Sequence, residues 1–229
     1  MKLKRVCFNE LAYVIGIIVL AFGTALMEKA DFGMSMVVAP AYLLHLKLSQ
    51  YYPGFSFGMA EYVLQAFILI VLSFIMHKFK KSYLFSFVTA IFYGTVLDLM
   101  IYLVRNLSFD KIAVRALLYL AGVFFCAAGV SFLFHTYISP EAYELLVKEI
   151  SAKHNININR VKTVYDCISC LAGISLSFAF FGFGHFEGVK LGTIICALIN
   201  GWLIGHISKI LESLFIFKDA FPLRKVFNK

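Results

Sequence analysis

Seven polar residues lie inside or at the edges of apolar stretches, where their side chains could bind a small solute. An ionisable group inside a membrane helix costs at least about 2.5–3.5 kcal/mol, so each such residue needs a reason. Glu61 and Gln65 are spaced to share one helix face, and Lys162 and Asp166 are spaced to pair with each other. The sequence predicts no catalytic residue and no metal ligand. The predicted substrate-binding residues are Asp31, Ser35, Glu61, Gln65, Asp98, Asp166 and Asn200.

Each of these residues also has a purely structural explanation. Glu61 lies near the end of an apolar stretch, where solvation at the membrane surface would suffice. Asp98, Asp166 and Asn200 lie deeper or on a packed face, where a hydrogen bond between helices explains them as well as a ligand does. Asp31 lies where the outer end of a helix would be exposed to water. The residues alone leave both explanations open.

A helix N-terminus offers a second kind of binding site. Two shorter pieces, the first apolar and the second amphipathic, follow the first and fourth long apolar stretches. Ser35 and Ser139 are suited to cap the starts of these pieces, and Pro140 suits a first helical position. The unpaired N–H groups and partial positive charge at Ser35 would favour an anionic or zwitterionic solute. For the second piece, 139–153, the preferred interpretation is an amphipathic helix that lies at the membrane surface.

The composition places the chain among integral membrane proteins. Of its 229 residues, 61% are hydrophobic and 15% are charged, whereas a soluble domain has roughly 45–50% and about 25%. The net charge of +8 comes from basic residues in the gaps between apolar segments. Membrane topology and anionic lipids explain that placement, so we expect a lipid bilayer and no nucleic acid as partner.

The chain carries none of the motifs that mark soluble enzymes. It contains no P-loop, no G-x-S-x-G, no H-E-x-x-H and no zinc-spaced set of cysteines and histidines. Four of the five cysteines lie in apolar runs, which is not a disulfide framework. We therefore expect a protein that is not an enzyme and has no cofactor.

Hydropathy predicts an all-α transmembrane fold, a six-span helical bundle with two short interfacial or re-entrant helices. If the N-terminus is cytoplasmic, most of the 21 lysine and arginine residues fall on the cytoplasmic side, so both termini are expected there. The expected location is the bacterial cytoplasmic (inner) membrane. The predicted spans are 10–28, 57–77, 83–104, 112–136, 160–182 and 189–211, and the short helices are 34–48 and 139–153.

The two halves of the chain show the same landmarks in the same order. This predicts a first three-span repeat at 1–108, a second at 109–214 and a basic cytoplasmic tail at 215–229. Because three is odd, the second repeat would be inverted in the membrane, as in many transporters. Stripes of small residues further predict that the third and sixth spans lie centrally. The matched landmarks are Gly16 with Gly122, Gly23 with Gly129, Ser35 with Ser139 and Gly94 with Gly201.

Short motifs resemble the YczE/YitT family of bacterial integral membrane proteins. The first is the glycine-containing turn at 30–36 (ADFGMSM), and the segments 160–166 and 191–201 look similar too. The chain ends soon after its last span, which is closer to the YczE type. The resemblance implies a bacterial inner-membrane protein, but it supplies neither a substrate nor functional residues.

The preferred function from sequence is a small membrane transporter or permease. Its small, anionic or zwitterionic solute would bind near the membrane midplane between the repeats. The alternative is a non-transporting membrane scaffold or accessory subunit that binds a protein partner or lipid. Substrate, coupling ion, direction of transport, and assembly as a homo-oligomer or with a partner subunit stay open.

Overall fold

Eight helices and two short strands form the part of the chain that the computed structural model describes, residues 5–107, 110–184 and 186–222. Six of these helices, 20 to 24 residues long, are apolar enough to cross a membrane, which confirms the predicted six-span all-α fold class. In chain order the elements are β1 (Arg5–Phe8), α1 (Asn9–Ala30), α2 (Ala39–Leu48), α3 (Phe57–Met76), α4 (Lys81–Val104), α5 (Ile112–Phe134), α6 (Ala142–His154), α7 (Ile158–Phe181), α8 (Leu191–Leu214) and β2 (Phe215–Lys218).

Local signals set several of the helix ends. The Ser56 side chain accepts a hydrogen bond from the backbone N–H of Met59 and so caps the start of α3. Asp31, His77 and Asn155 take left-handed backbone conformations that end α1, α3 and α6. The spans therefore begin and end within a few residues of the predicted bounds.

Helices α1 and α5 form the centre of the bundle, so the prediction that the third and sixth spans lie centrally is wrong. These two helices are the most buried of the six spans and pack along their whole length. Glycine explains the close approach: Gly16 meets Gly129, and Gly23 meets Gly122, backbone against backbone. The glycine landmarks of the sequence thus mark the central helix pair.

Most of the further helix pairings among the described residues occur twice around this centre. Helix α3 packs on α4 as α7 packs on α8, and α1 packs on α4 as α5 packs on α8. The short helices follow the same rule, because α2 packs on α3 and α7, and α6 packs on α7 and α3. Hydroxyl groups hold both turns before the short helices: Ser86 donates to the carbonyl of Pro140, and Thr193 to that of Met34.

Helix α6 enters the bundle, so the preferred interpretation of the second piece as an amphipathic helix at the membrane surface is wrong. Its first half, Ala142–Val147, is buried, including the charged Glu144. The exposed part of the helix is confined to its second half. The helix is therefore amphipathic along its length rather than around its circumference.

The two strands were not predicted from the sequence. Strand β1 pairs in parallel with β2, with Arg5 opposite Phe215 and Phe8 opposite Lys218. The two ends of the helical bundle therefore meet on the same side of the molecule, as an even number of spans requires. Of the predicted tail, 223–229 lie outside the described residues.

Candidate functional site

Five charged side chains are buried together where α3, α6 and α7 meet. Glu61, Glu141, Glu144, Lys162 and Asp166 are each at most 3% exposed. Charges in the interior of a membrane protein are rare and are retained mainly where they serve a function. This group, here called the acidic cluster, therefore defines the candidate site.

Gln65 connects two of the carboxyl groups to the start of α6. Its amide nitrogen donates to Oε2 of Glu61 at 3.1 Å and to Oε2 of Glu141 at 3.4 Å. Its amide oxygen accepts the backbone N–H of Ala142 at 3.1 Å, which satisfies one free donor at that helix end. The Tyr143 hydroxyl donates to Oε2 of Glu61 at 2.8 Å. Helix α3 thus holds the beginning of α6 in place through polar contacts.

Lys162 is the one cation of the cluster among the described residues. Its Nζ lies 2.9 Å from Oδ1 of Asp166, which confirms the predicted pairing one helical turn apart, and 3.3 Å from Oε1 of Glu144. The amide nitrogen of Asn200, on α8, donates to Oδ2 of Asp166 at 3.3 Å. These contacts carry the polar network from α6 through α7 to α8.

A small cavity of about 30 Å³ lies beside the cluster at the centre of the bundle. That volume has room for about two water molecules. The turn before α2 and the start of α6 both reach it, through Ser35 on one side and Glu141 on the other. Its lining residues are Leu20, Thr24, Ser35, Val37, Val38, Tyr93, Cys126, Val130, Glu141, Tyr143, Glu144, Lys162 and Asn200.

Several oxygen atoms of the site have no hydrogen-bond partner among the described residues. They are Oε1 of Glu61, Oε1 of Glu141, Oε2 of Glu144 and Oδ1 of Asn200, all buried. Burial raises the pKa of Glu141 well above its usual range, and the carboxylates of Glu144 and Glu61 raise it further. An uncompensated carboxylate is costly in such surroundings, so this carboxyl group favours a bound proton or a cation.

Four of the seven predicted site residues meet in the cluster or contact it. Glu61, Gln65 and Asp166 belong to the buried network, and Asn200 joins it from α8. Ser35 lies on the cavity, but the prediction that it caps α2 is wrong. A turn intervenes, the helix begins at Ala39, and the Ser35 carbonyl rather than the hydroxyl accepts the N–H groups of Val38 and Ala39.

The predicted caps of the second short helix are also wrong. Helix α6 begins at Ala142 with Glu141 at the N-cap position, beyond both Ser139 and Pro140. The carbonyls of Ser139 and Pro140 instead accept hydrogen bonds from Thr89 and Ser86 of α4. These contacts to α4 fix the chain before the helix starts.

Asp98 and Asp31 lie outside the cluster. Asp98 accepts the backbone N–H of Gly58 at 2.9 Å, which supports the first turn of α3. Asp31 is largely exposed and pairs with Arg115 at 3.0 Å and with Lys190 at 2.5 Å. Both residues hold helices together at the rim of the bundle.

Sequence reasoning missed the contribution of α6. Glu141 and Glu144 are three residues apart at the start of a short helix, which reads as the polar face of a surface helix. The sequence distinguishes these two residues by their position after the second turn. The corresponding turn in the first half of the chain carries Ser35 and is followed by apolar residues. Two acidic residues at a buried turn distinguish the second half from the first.

The fold and the buried ionisable cluster together define a six-span, all-α membrane protein with an internal polar site. A family model matches residues 7–209, and the chain belongs to that family, the family of unknown function DUF6198. No curated protein and no solved structure matches the chain.

Proposed function

We propose that the protein is a small membrane transporter or permease whose binding site is the acidic cluster with its cavity. The observation that carries this proposal is the burial of Glu61, Glu141, Glu144, Lys162 and Asp166 at the meeting point of the spans. A scaffold would gain stability from apolar residues of similar size at these positions, because buried ion pairs add little net stability. Ionisable groups that are this costly to bury in a membrane are expected where they bind or move a solute.

The paired arrangement of the helices supports this proposal. Pairings that occur twice around α1 and α5 are what two inverted three-span repeats, 1–108 and 109–214, would produce. Transporters built in this way bind their solutes near the midplane, where short or broken helices end. The turns before α2 and α6 both reach the cavity, which matches that arrangement.

The charge of the site bears on the class of solute. The sequence favoured an anionic or zwitterionic solute on the assumption that Ser35 caps a free helix N-terminus. The cavity is instead lined by Glu141 and Glu144, with Lys162 already engaged by two carboxylates. We therefore propose a solute that carries an amino group, either a cation or a zwitterion.

A binding screen tests the proposal. Purified protein would be heated with a panel of primary amines, amino acids and carboxylic acids, and hits would be tested for uptake into proteoliposomes. We expect a stabilising amine or amino acid whose effect and uptake fall about tenfold or more in Glu141→Gln, since a charged hydrogen bond from the solute to this cavity-lining carboxylate is lost. Glu149→Gln on the exposed second half of α6, where Glu149 pairs with Lys80, is the matched control. A panel without hits, or uptake indifferent to Glu141→Gln, would reject this proposal.

The closed centre favours the alternative function. A cavity of about 30 Å³ accommodates no metabolite, so the bundle as described is closed around its site. A non-transporting scaffold or accessory subunit that binds a protein partner or lipid would have such a centre. Uptake by proteoliposomes separates the two, because a scaffold moves no solute whatever its polar network does.

We also propose that the protein is located in the bacterial inner membrane with both termini in the cytoplasm, that it is not an enzyme, and that it is related to the YczE/YitT family. The meeting of β1 and β2 supports a common side for the two termini.

A further inference from the structure

Three residues that line the small cavity carry unpartnered acceptor oxygens. Glu141, Glu144 and Asn200 all line the cavity, and each has a buried side-chain oxygen without a hydrogen-bond donor among the described residues. The orientation of the Asn200 amide follows from its nitrogen, which donates to Asp166 and leaves the oxygen as an acceptor. Such a set of oxygens suits a positively charged guest.

The charges of the cluster do not balance. Four carboxyl groups face one lysine, and that lysine lies between Asp166 and Glu144. The N-terminal ends of α2 and α6 add roughly half a positive charge each. If every carboxyl group were ionised, the site would still be negative, which an interior shielded from water does not tolerate. At least one further positive charge is required.

We propose that the cavity binds one small monovalent cation, Na⁺ or a proton, held by Glu141 and Glu144 with the Asn200 amide oxygen. The cavity has the size of about two water molecules, which gives room for a single small ion. Oxygen atoms are the ligands that hard cations prefer. The role of this ion in coupling rests on the proposed transport function, but its binding does not.

The other ionisable groups in and around the cavity come from five helices. They shape the affinity of the ion without offering a further unpaired carboxylate to it on the cavity side. Glu61 does not line the cavity. Gln65 connects it to Glu141, and its Oε2 already accepts hydrogen bonds from Gln65 and Tyr143. The groups are Glu61 of α3, Tyr93 of α4, Cys126 of α5, and Lys162 and Asp166 of α7, with Tyr143 on α6 itself.

Binding of sodium is tested on the full chain in detergent or nanodiscs. Radioactive Na⁺ is added at mildly alkaline pH, with choline as the replacement cation at equal ionic strength, and bound ion is counted. For a sodium site we expect saturable binding that weakens about tenfold or more in Glu141→Gln and in Glu144→Gln, because each removes a charged ligand. Glu149→Gln, on the same helix and paired with Lys80, should bind as the unaltered protein does.

Binding of a proton is tested by infrared difference spectra across mildly acidic to mildly alkaline pH, without sodium. For a proton site we expect a protonated-carboxyl band that disappears as the pH rises and is missing in Glu141→Gln. The proposal is overturned if sodium does not bind saturably and no protonated-carboxyl band titrates. It is also overturned if the sodium binding or the carboxyl band that is observed is unchanged in both Glu141→Gln and Glu144→Gln. Ion binding without solute uptake would reject the transport function alone, and uptake without ion binding would reject this inference alone.

Discussion

Lys162 illustrates why this polar cluster is stable only as a unit. Lys162 is 1% exposed, and its ammonium nitrogen lies within 3.3 Å of two carboxylates. Taking such a charge out of water is costly, and the attraction of Asp166 and Glu144 offsets that cost. Removing one partner leaves the others buried and uncompensated, so the loss exceeds the net contribution of the pair.

We predict that Lys162→Met lowers stability strongly. Breaking a buried ion pair from one side costs about 3–5 kcal/mol, which corresponds to a fall in melting temperature of roughly 10 °C for a chain of this length. The measurement is thermal unfolding in detergent, followed by intrinsic fluorescence. The triple variant Lys162→Met, Glu144→Gln, Asp166→Asn should recover most of the loss, because it removes the unbalanced charges.

The control for this variant is Lys80→Met. Lys80 pairs with Glu149 at 2.6 Å but is 43% exposed, and exposed pairs contribute less than about 1 kcal/mol. Equal melting temperatures for the two lysine variants would contradict the assignment of a charged, desolvated Lys162.

Part of this site can be predicted from the sequence, and the rest cannot. Glu61, Gln65, Lys162 and Asp166 stand out because their spacing and apolar surroundings are visible along one chain segment. Glu141 becomes part of the site through residues that are remote in sequence, because it contacts Gln65 and lines the cavity with Asn200. Contacts between remote segments depend on packing, which a single sequence does not encode in a readable pattern.

At the scale of elements, the central contact between α1 and α5 depends on residues without side chains. A Cβ atom at Gly23 would lie 2.7 Å from the carbonyl oxygen of Gly122 and from the backbone nitrogen of Cys126. At Gly129 it would lie 2.7 Å from the carbonyl oxygen of Gly16. Because backbone atoms cannot rotate away, the two helices would have to separate.

We therefore predict that Gly23→Ala destabilises the bundle, although alanine favours a helix. Overpacking of this kind costs about 1–3 kcal/mol, and the helix preference returns at most about 1 kcal/mol. Gly54→Ala is the control, since nothing lies within 4 Å of a Cβ at that position. The test compares melting temperatures, and a Gly23→Ala protein as stable as the Gly54→Ala protein would disprove the close contact.

The same glycines show how far sequence reasoning reached at this scale. Their regular spacing in the first and fourth spans indicates a repeat. The stripes of small residues in the third and sixth spans predict, wrongly, that those spans lie centrally. They serve peripheral contacts instead, for example Gly94 against Gly58 and Gly201 against Asn159. Small residues therefore identify tight helix contacts without telling which contact is central.

At the scale of the whole molecule, the short strands join the two ends of the chain. Strand β1 precedes the first span and β2 follows the last, and their parallel pairing requires both on one side of the bundle. Glu10 strengthens this junction, because its carboxylate accepts the backbone N–H groups of Ala220 and Phe221. We propose that this side is cytoplasmic, because most of the lysine and arginine residues would then face the cytoplasm.

We predict that reporters at both ends report the cytoplasm. A fluorescent protein fused at either end of the chain should fluoresce, and alkaline phosphatase fused at either end should be inactive, because it folds only where disulfides form. A phosphatase inserted at Gly54, between α2 and α3, should be active. Opposite signals from the two ends would be incompatible with the pairing of β1 and β2, whereas reversal of all signals would retain the fold and invert its orientation in the membrane.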